Sequence, residues 1–112
     1  SYRPLAPALW RLALSGPRSR LLSEIGGTAA YRVLRHPRID NLPLHGVLGP
    51  TADRLRREAV SLRAMADWPG MSVERGARLL NALYLTANLM VTRSHPAARA
   101  EPAQSLLGRR SR

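Results

Sequence analysis

The most regular apolar pattern in this chain runs from Val73 to Ala87. Apolar residues recur there at intervals of three and four positions, the spacing of one face of an α-helix. Ser72, a favoured N-cap, comes directly before the pattern, and Glu74 lies in the first turn, where a negative charge is favourable. Asn88 stands where a left-handed residue would end the helix. The sequence therefore predicts a long helix whose apolar face holds Val73, Ala77, Leu80, Leu83, Tyr84 and Ala87.

The apolar residues as a whole favour helices over strands. They make up 45% of the 112 residues, and most of them are Leu or Ala, whereas Phe is absent and β-branched residues are sparse. Leu, Ala, Arg and Glu are good helix formers. A chain of this length has enough residues for one domain with a modest core. We therefore expect a mainly α fold in a small single domain.

Short helices are expected in the N-terminal part, residues 1–35. Residues 8–14 are apolar and follow Pro7, so a helix that begins there would place Trp10, Ala13 and Leu14 on one face. A short strand is the alternative for this stretch. The segments that follow are a helix over 18–25, a helix over 29–35 with Thr28 as its N-cap, and a Pro- and Gly-rich linker over 36–50.

The C-terminal half is predicted to contain two shorter helices before the long one. Thr51 is a favoured N-cap with Asp53 in the first turn, so one helix is expected over 51–59. A second is expected over 61–67, and the turn Trp68-Pro69-Gly70 joins it to the long helix. A short strand, 89–92, completes a unit of residues 51–93, and a flexible tail is expected over 94–112.

The order of these elements resembles the helix-turn-helix core of winged-helix domains. The resemblance implies a winged-helix-like C-terminal half with an N-terminal helical extension, although no second wing strand is evident after residue 92. Winged helices serve as DNA readers, RNA binders, dimer interfaces and scaffolds, so this resemblance leaves the function open. The residues that carry it are Leu62, Met65, Ala66, Gly70, Met71, Ser72, Val73, Ala77, Leu80, Leu83, Asn88, Leu89, Met90 and Val91.

If the long helix is a recognition helix, its polar face predicts which residues contact DNA. Arg75, Arg78 and Asn81 are spaced by three and are expected to line one exposed strip. Arg and Asn are the residue types that pair with guanine and adenine edges in the major groove. An arginine strip can equally be a solvated helix face. Further contacts are expected with phosphates from Arg54, Arg56, Arg57 and Arg63, and near the wing from Arg93.

The charge of the chain points to an acidic partner. Lys and Arg together number 18 against seven acids, a formal net charge of +11, and every one of the 18 is Arg. Genomes rich in G and C favour Arg codons, so part of this excess is compositional. Arg also presents a planar fork of donors that suits phosphate. Double-stranded DNA in a bacterial regulatory setting is the leading interpretation, and a protein-interaction or dimerisation module of a larger signalling or assembly protein is the alternative.

The sequence lacks the residues that several classes of function require. Cys is absent, which excludes disulfides and Cys-based zinc sites. His36, His45 and His95 are far apart and lie beside Pro or Gly, so no metal site is expected. Neither a Gly-x-Ser-x-Gly motif nor a complete phosphate-binding loop is present. We therefore expect a non-enzymatic protein without cofactor or metal.

The location and the oligomeric state are also expectations. No apolar run approaches the roughly 18 residues of a membrane span, and no signal peptide is evident, so a cytoplasmic protein is expected. Trp10, Leu12 and Leu14 offer more apolar surface than one modest core is expected to cover. This surplus predicts a homodimer.

Overall fold

A computed structural model describes residues 6–16, 18–34 and 44–99 of the chain. The helices that predominate in these ranges confirm the expected mainly α fold, which includes a small antiparallel sheet. None of the helices in these ranges combines the length and the apolar character that a transmembrane helix needs. In chain order the elements are α1 (Ala6–Ser15), β1 (Ala30–Val33), α2 (Leu48–Arg57), α3 (Leu62–Ala66), α4 (Val73–Leu85), β2 (Leu89–Thr92) and a 3-10 helix (Pro96–Arg99).

The first helix packs against the last one. The side chain of Trp10 on α1 is fully buried, and Ala13 and Leu14 are partly buried against the same core, so the predicted apolar face of this helix is confirmed. Leu12 lies outside that face and is 66% exposed. On α4, the buried residues include Leu79, Leu80, Ala82 and Leu83. The contact between α1 and α4 therefore joins the N-terminal part of the chain to its C-terminal half around one core.

Strand β1 lies between two other extended segments. It runs antiparallel to β2, with Ala30 opposite Thr92 and Val33 opposite Leu89. On its other edge, Tyr31 and Val60 exchange both backbone hydrogen bonds, at 2.7 and 3.0 Å. The β1 segment therefore satisfies its backbone groups from two sides.

The helix predicted over residues 29–35 is therefore wrong for residues 29–34, which contain β1. Residue 35 lies outside the described residues. Tyr31 and Val33 favour a strand, and the pairing partners that decide the outcome lie about 30 and 60 positions further along the chain. Tyr31 also anchors the strand, because its hydroxyl donates a hydrogen bond to the carbonyl of Ile25. Burial raises the pKa of Tyr31 against the opposing charge of Arg93, so the hydroxyl stays protonated and able to donate.

The helix predicted over residues 18–25 is also absent from the structure. Turns take its place, with Ile25 N–H donating to the Leu22 carbonyl at 3.0 Å. The reason is that the Asn81 side chain on α4 uses the backbone of this segment. Its oxygen accepts from the Leu22 N–H and its nitrogen donates to the Arg20 carbonyl.

Helix α2 begins earlier than predicted. Thr51, the predicted N-cap, is buried inside the helix, and Val47 occupies the cap position without a side-chain hydrogen bond. Pro50 falls in the first turn, where a helix has no need of a backbone N–H, so it permits the earlier start. Residues 44–50 of the predicted linker thus contain a turn and the start of α2, while residues 35–43 lie outside the described residues.

The predicted apolar face of the long helix is confirmed only at Ala77, Leu80 and Leu83, which are buried. Val73, Tyr84 and Ala87 are exposed, because no neighbouring element among the described residues covers the two ends of α4.

The predicted cap at Ser72 is confirmed. The hydroxyls of Ser61 and Ser72 cap α3 and α4, accepting from Ala64 N and Arg75 N at 3.1 Å each. The left-handed residue after α4 is Ala87, with φ of 62°, and not Asn88. Asn88 N–H instead donates to the Leu83 carbonyl at 2.8 Å, the backbone hydrogen bond that typically follows a left-handed helix end.

The predicted tail also begins later than expected. Residues 96–99 form the 3-10 helix, in which Ala98 is buried. Residues 100–112 of the predicted tail lie outside the described residues.

Replacing Trp10 with Ala should strongly destabilise the fold. A fully buried Trp is removed from the contact between α1 and the core, and such truncations cost about 3–5 kcal/mol. Leu12→Ala is the matched control on the same helix, and it should change the free energy of unfolding by less than about 1 kcal/mol. Urea denaturation of both variants measures the difference. Equal losses would contradict the packing of α1 described above.

Candidate nucleic-acid interface

The exposed part of α4 is its first turn. The turn before it contains Gly70 at φ of 76°, and a Cβ there would lie 2.5 Å from Val47 Cγ1. Val73 is 57% exposed, and Glu74 and Arg75 are exposed beside it. Most of the residues from Gly76 to Leu83 are buried under neighbouring elements. Only this end of the predicted recognition helix, together with Tyr84 and Leu85 at its far end, therefore faces solvent among the described residues of α4.

Arg75 is exposed, as predicted, and is held by the turn that precedes the helix. Its Nη1 donates to the Gly70 carbonyl at 2.9 Å. Arg75 and Arg78 line a pocket of about 400 Å³ between α4, the start of α2 and the end of α1. We call this the α2–α4 pocket, and its lining residues are Leu14, His45, Gly46, Val47, Leu48, Arg75 and Arg78.

Arg78 is only partly exposed. Its Nε is buried, and it is the one buried side-chain polar atom of the described residues without a hydrogen-bond partner. The neighbouring Leu14 belongs to α1, so α1 reaches the part of α4 that holds Arg78. The structure therefore places Arg78 beside Arg75 in a pocket and not on an open helix face.

Asn81 does not lie on the exposed strip that the sequence predicts. It is 3% exposed, its Oδ1 accepts from Leu22 N–H at 2.9 Å, and its Nδ2 donates to the Arg20 carbonyl at 2.8 Å. Both ends of the amide are thus used inside the protein. The predicted helix is present at this position, but the N-terminal segment covers that part of α4, so Asn81 has no free edge to present to a base.

Arg63 lies on the other side of the first turn of α4. With Arg99 and Val73 it lines a pocket of about 620 Å³, which we call the α3–α4 pocket. The other described residues of this lining are uncharged, so they include no carboxylate. The first turn of α4 thus stands between two pockets, each of which is lined by two arginines.

Of the predicted phosphate contacts on α2, Arg54 and Arg56 are engaged within the protein. The guanidinium of Arg54 lies 4.1 Å from the centre of the Trp68 ring, and its Nε is 3.0 Å from Glu58 Oε2. The Nε of Arg56 lies 3.9 Å from Asp53 Oδ1. Arg57 is exposed near the end of α2 and lines neither pocket beside α4.

Arg93 holds a loop together. Its Nη1 donates to the carbonyls of Gly26 and Thr28, and its Nη2 donates to that of Glu24 at 3.3 Å. Arg93 was predicted to contact DNA near the wing, but in the structure its guanidinium group stabilises the loop before β1.

Two residues beside α4 are not among the predicted contacts. Arg99 falls in the predicted tail, and His45 falls in the predicted linker. No pattern in the nearby sequence could have predicted this position for either residue. Each lines a pocket together with part of α4 only because segments distant in the sequence fold against each other. Among the described residues, no cluster of His, Asp or Glu could hold a metal ion.

No family model matches this chain, and neither the curated proteins nor the solved structures include one that is similar to it.

Replacing Asn81 with Ala should cost stability and leave any DNA affinity of the folded protein unchanged. Two partly buried backbone groups, Leu22 N–H and Arg20 C=O, lose their partner, at a cost of about 1–3 kcal/mol. Arg75→Ala serves as the surface control, with an expected change within about 0.5 kcal/mol. Thermal denaturation gives the comparison. A variant with normal stability and selectively weaker DNA binding would restore the base-reading interpretation.

Proposed function

We propose that this chain is a non-enzymatic domain that binds duplex DNA with the first turn of α4. The observation that carries the proposal is the position of that turn between the α2–α4 and α3–α4 pockets. Their four arginines, Arg75, Arg78, Arg63 and Arg99, share neither pocket lining with a carboxylate of the described residues. Helix-turn-helix proteins contact bases with the N-terminal residues of the recognition helix. The arginines on both sides would then contact phosphates.

The arrangement of α2, α3 and α4 supports a winged-helix-like unit. The short turn from Trp68 to Met71 separates α3 from α4, and β2 follows α4 in the position of a first wing strand. In this proposal β1 takes the place of the second wing strand, although it comes from the N-terminal part of the chain. That substitution would explain why the sequence shows no second wing strand after residue 92.

The covered middle of α4 limits how DNA would be read. With Asn81 and most of α4 inside the fold, only the first turn could reach base edges. Glu74 is exposed in that turn and could accept a hydrogen bond from a cytosine amino group, while its charge opposes the phosphates. The proposed contacts are thus mainly with the DNA backbone, in a bacterial regulatory protein.

The salt dependence of duplex binding tests this proposal. Arg63→Ala and Arg75→Ala together should weaken binding and reduce the slope of log K against log salt by about 2, because each phosphate contact contributes about 0.9. Fluorescence anisotropy with a labelled duplex between about 50 and 200 mM salt measures that slope.

The control is Arg18→Ala, which removes one positive charge from an exposed residue near Leu85, at the other end of α4, and is compared with each single variant as well as with the double one. A rise of 1.5 Å per residue separates the two ends by about 18 Å, so this variant should keep the slope. Glu74→Gln should strengthen binding or leave it unchanged. Absence of duplex binding at about 50 mM salt, or equal losses in the control, would refute the proposal.

A protein-interaction role is the alternative, and one surface favours it. Leu12, which is 66% exposed, and Leu85, which is 41% exposed, lie on a pocket of about 280 Å³ that also contains Ala13 and Leu22. Arg18 is the one charged residue in this lining. A second copy of the chain could insert its Leu12 into the pocket by a two-fold contact. Trp10, one of the residues on which the predicted homodimer rests, is buried in its own chain and could not contribute.

Sedimentation velocity over a concentration series tests this alternative. If it holds, the chain should form dimers at micromolar concentrations, and Leu12→Arg should return it to a monomer because a charge enters an apolar contact. Arg11→Ala, an exposed change on the neighbouring position of α1, is the control and should leave the dimer intact. A monomeric mass throughout the series would exclude self-association at this surface.

A further inference from the structure

We infer that the α2–α4 pocket is a binding site for a phosphate group. The residues that would hold the anion are Arg75, Arg78 and His45, together with the backbone at the start of α2. Nothing in this inference requires that the chain binds DNA, since the same group occurs in small phosphate esters and in the backbone of a duplex.

The first argument is the charge of the pocket. Two guanidinium groups and one imidazole line about 400 Å³, and none of the lining residues that the structure describes is Asp or Glu. Arginines that are only solvated on an open helix face would not be expected to line the same pocket. Two planar donor groups in one cavity are instead the arrangement that proteins use to bind phosphate oxygens.

The second argument is the orphaned donor of Arg78. Its Nε is closed to solvent and makes no hydrogen bond among the described residues. Buried donors are nearly always paired, and one without a partner needs an explanation. Because Nε itself is closed to solvent, an anion in the pocket would act on the part of the Arg78 side chain that lines the pocket, where it would compensate for burying part of a charged group.

The third argument is the start of α2, which forms one wall of the pocket. Val47 occupies the N-cap position and has no side-chain acceptor, so none of the N–H groups of the first turn is capped by it. Gly46, at φ of 58°, also lines the pocket, and a Cβ built on it would meet no atom within 4 Å. Leu48 N–H already donates to the His45 carbonyl at 3.1 Å, and Pro50 has no N–H, so the start of this ten-residue helix would favour an anion mainly through the positive end of its dipole.

The remaining walls indicate what the phosphate is attached to. Leu14, Val47 and Leu48 present apolar surface beside the charged groups. The pocket also has more volume than a phosphate group alone would fill. A phosphate ester with an apolar part next to the anion matches both features.

An NMR titration of the intact chain with inorganic pyrophosphate tests the inference. Pyrophosphate should give saturable chemical-shift changes at the amides of Gly46, Val47 and Leu48. Arg78→Gln should weaken this binding about tenfold or more, since a hydrogen bond to a charged group is lost. Arg78→Lys keeps the positive charge but loses the planar fork of donors, so its affinity for pyrophosphate should lie between those of the unaltered chain and Arg78→Gln. Arg18→Ala should bind pyrophosphate like the unaltered chain.

A short duplex forms the second arm of the experiment and separates the two sources of phosphate. Pyrophosphate binding without duplex binding would uphold the site and refute the proposed function. Duplex binding without any pyrophosphate binding would refute the site and leave the proposed function standing. If pyrophosphate competes with the duplex, one site serves both.

Weak, unsaturable shifts that spread over exposed arginines would overturn the inference, because they would indicate general attraction to a basic surface. Should Arg78→Gln fail to fold, the amide signals of residues 46–48 in the unaltered chain still decide the outcome. Those signals must move together and saturate at the same pyrophosphate concentration.

Discussion

The contact between α4 and the N-terminal part of the chain is the interaction on which the other features depend. Trp10 brings α1 into the core, and the Asn81 amide binds the backbone of Arg20 and Leu22. The segment held in this way leads directly into β1, which then pairs with both Val60 and β2. One buried Trp and one buried Asn thus determine where the central strand can lie.

The same contact divides the arginines into two groups. Arg93 stabilises the loop before β1 through three carbonyls, and Arg32 donates two hydrogen bonds to the Arg56 carbonyl. These guanidinium groups serve the fold. Because α1 and the following segment cover the middle of α4, the arginines of this helix, Arg75 and Arg78, are available only near its first turns. The net charge of the chain therefore overstates how many arginines an acidic partner could contact.

Local signals in the sequence predicted the elements whose stabilising groups are close in the chain. The predicted cap Ser72 acts on a residue three positions later, and the apolar period of α4 correctly indicated the buried residues Ala77, Leu80 and Leu83. The errors fall where distant residues decide. Ala30–Val33 becomes a strand because its partners are Val60 and Leu89–Thr92, and Asn81 is buried because residues 20–22 fold onto it. For the candidate site, spacing correctly brought Arg75 and Arg78 together, but nothing local indicated His45 or the α1 wall beside them.

Native-state hydrogen exchange tests the central claim most directly, because it reports the free energy at which each backbone amide opens. If α4 and the N-terminal part form one cooperative unit, the Leu22 N–H and the Tyr31 N–H should exchange with the same free energy as the amides of Leu79 to Leu83. The Leu22 N–H is the more informative probe, since its acceptor is the Asn81 side chain. Exchange of Leu22 and Tyr31 at a clearly lower free energy than the α4 amides would contradict the account, because the N-terminal part would then open while the rest stays folded.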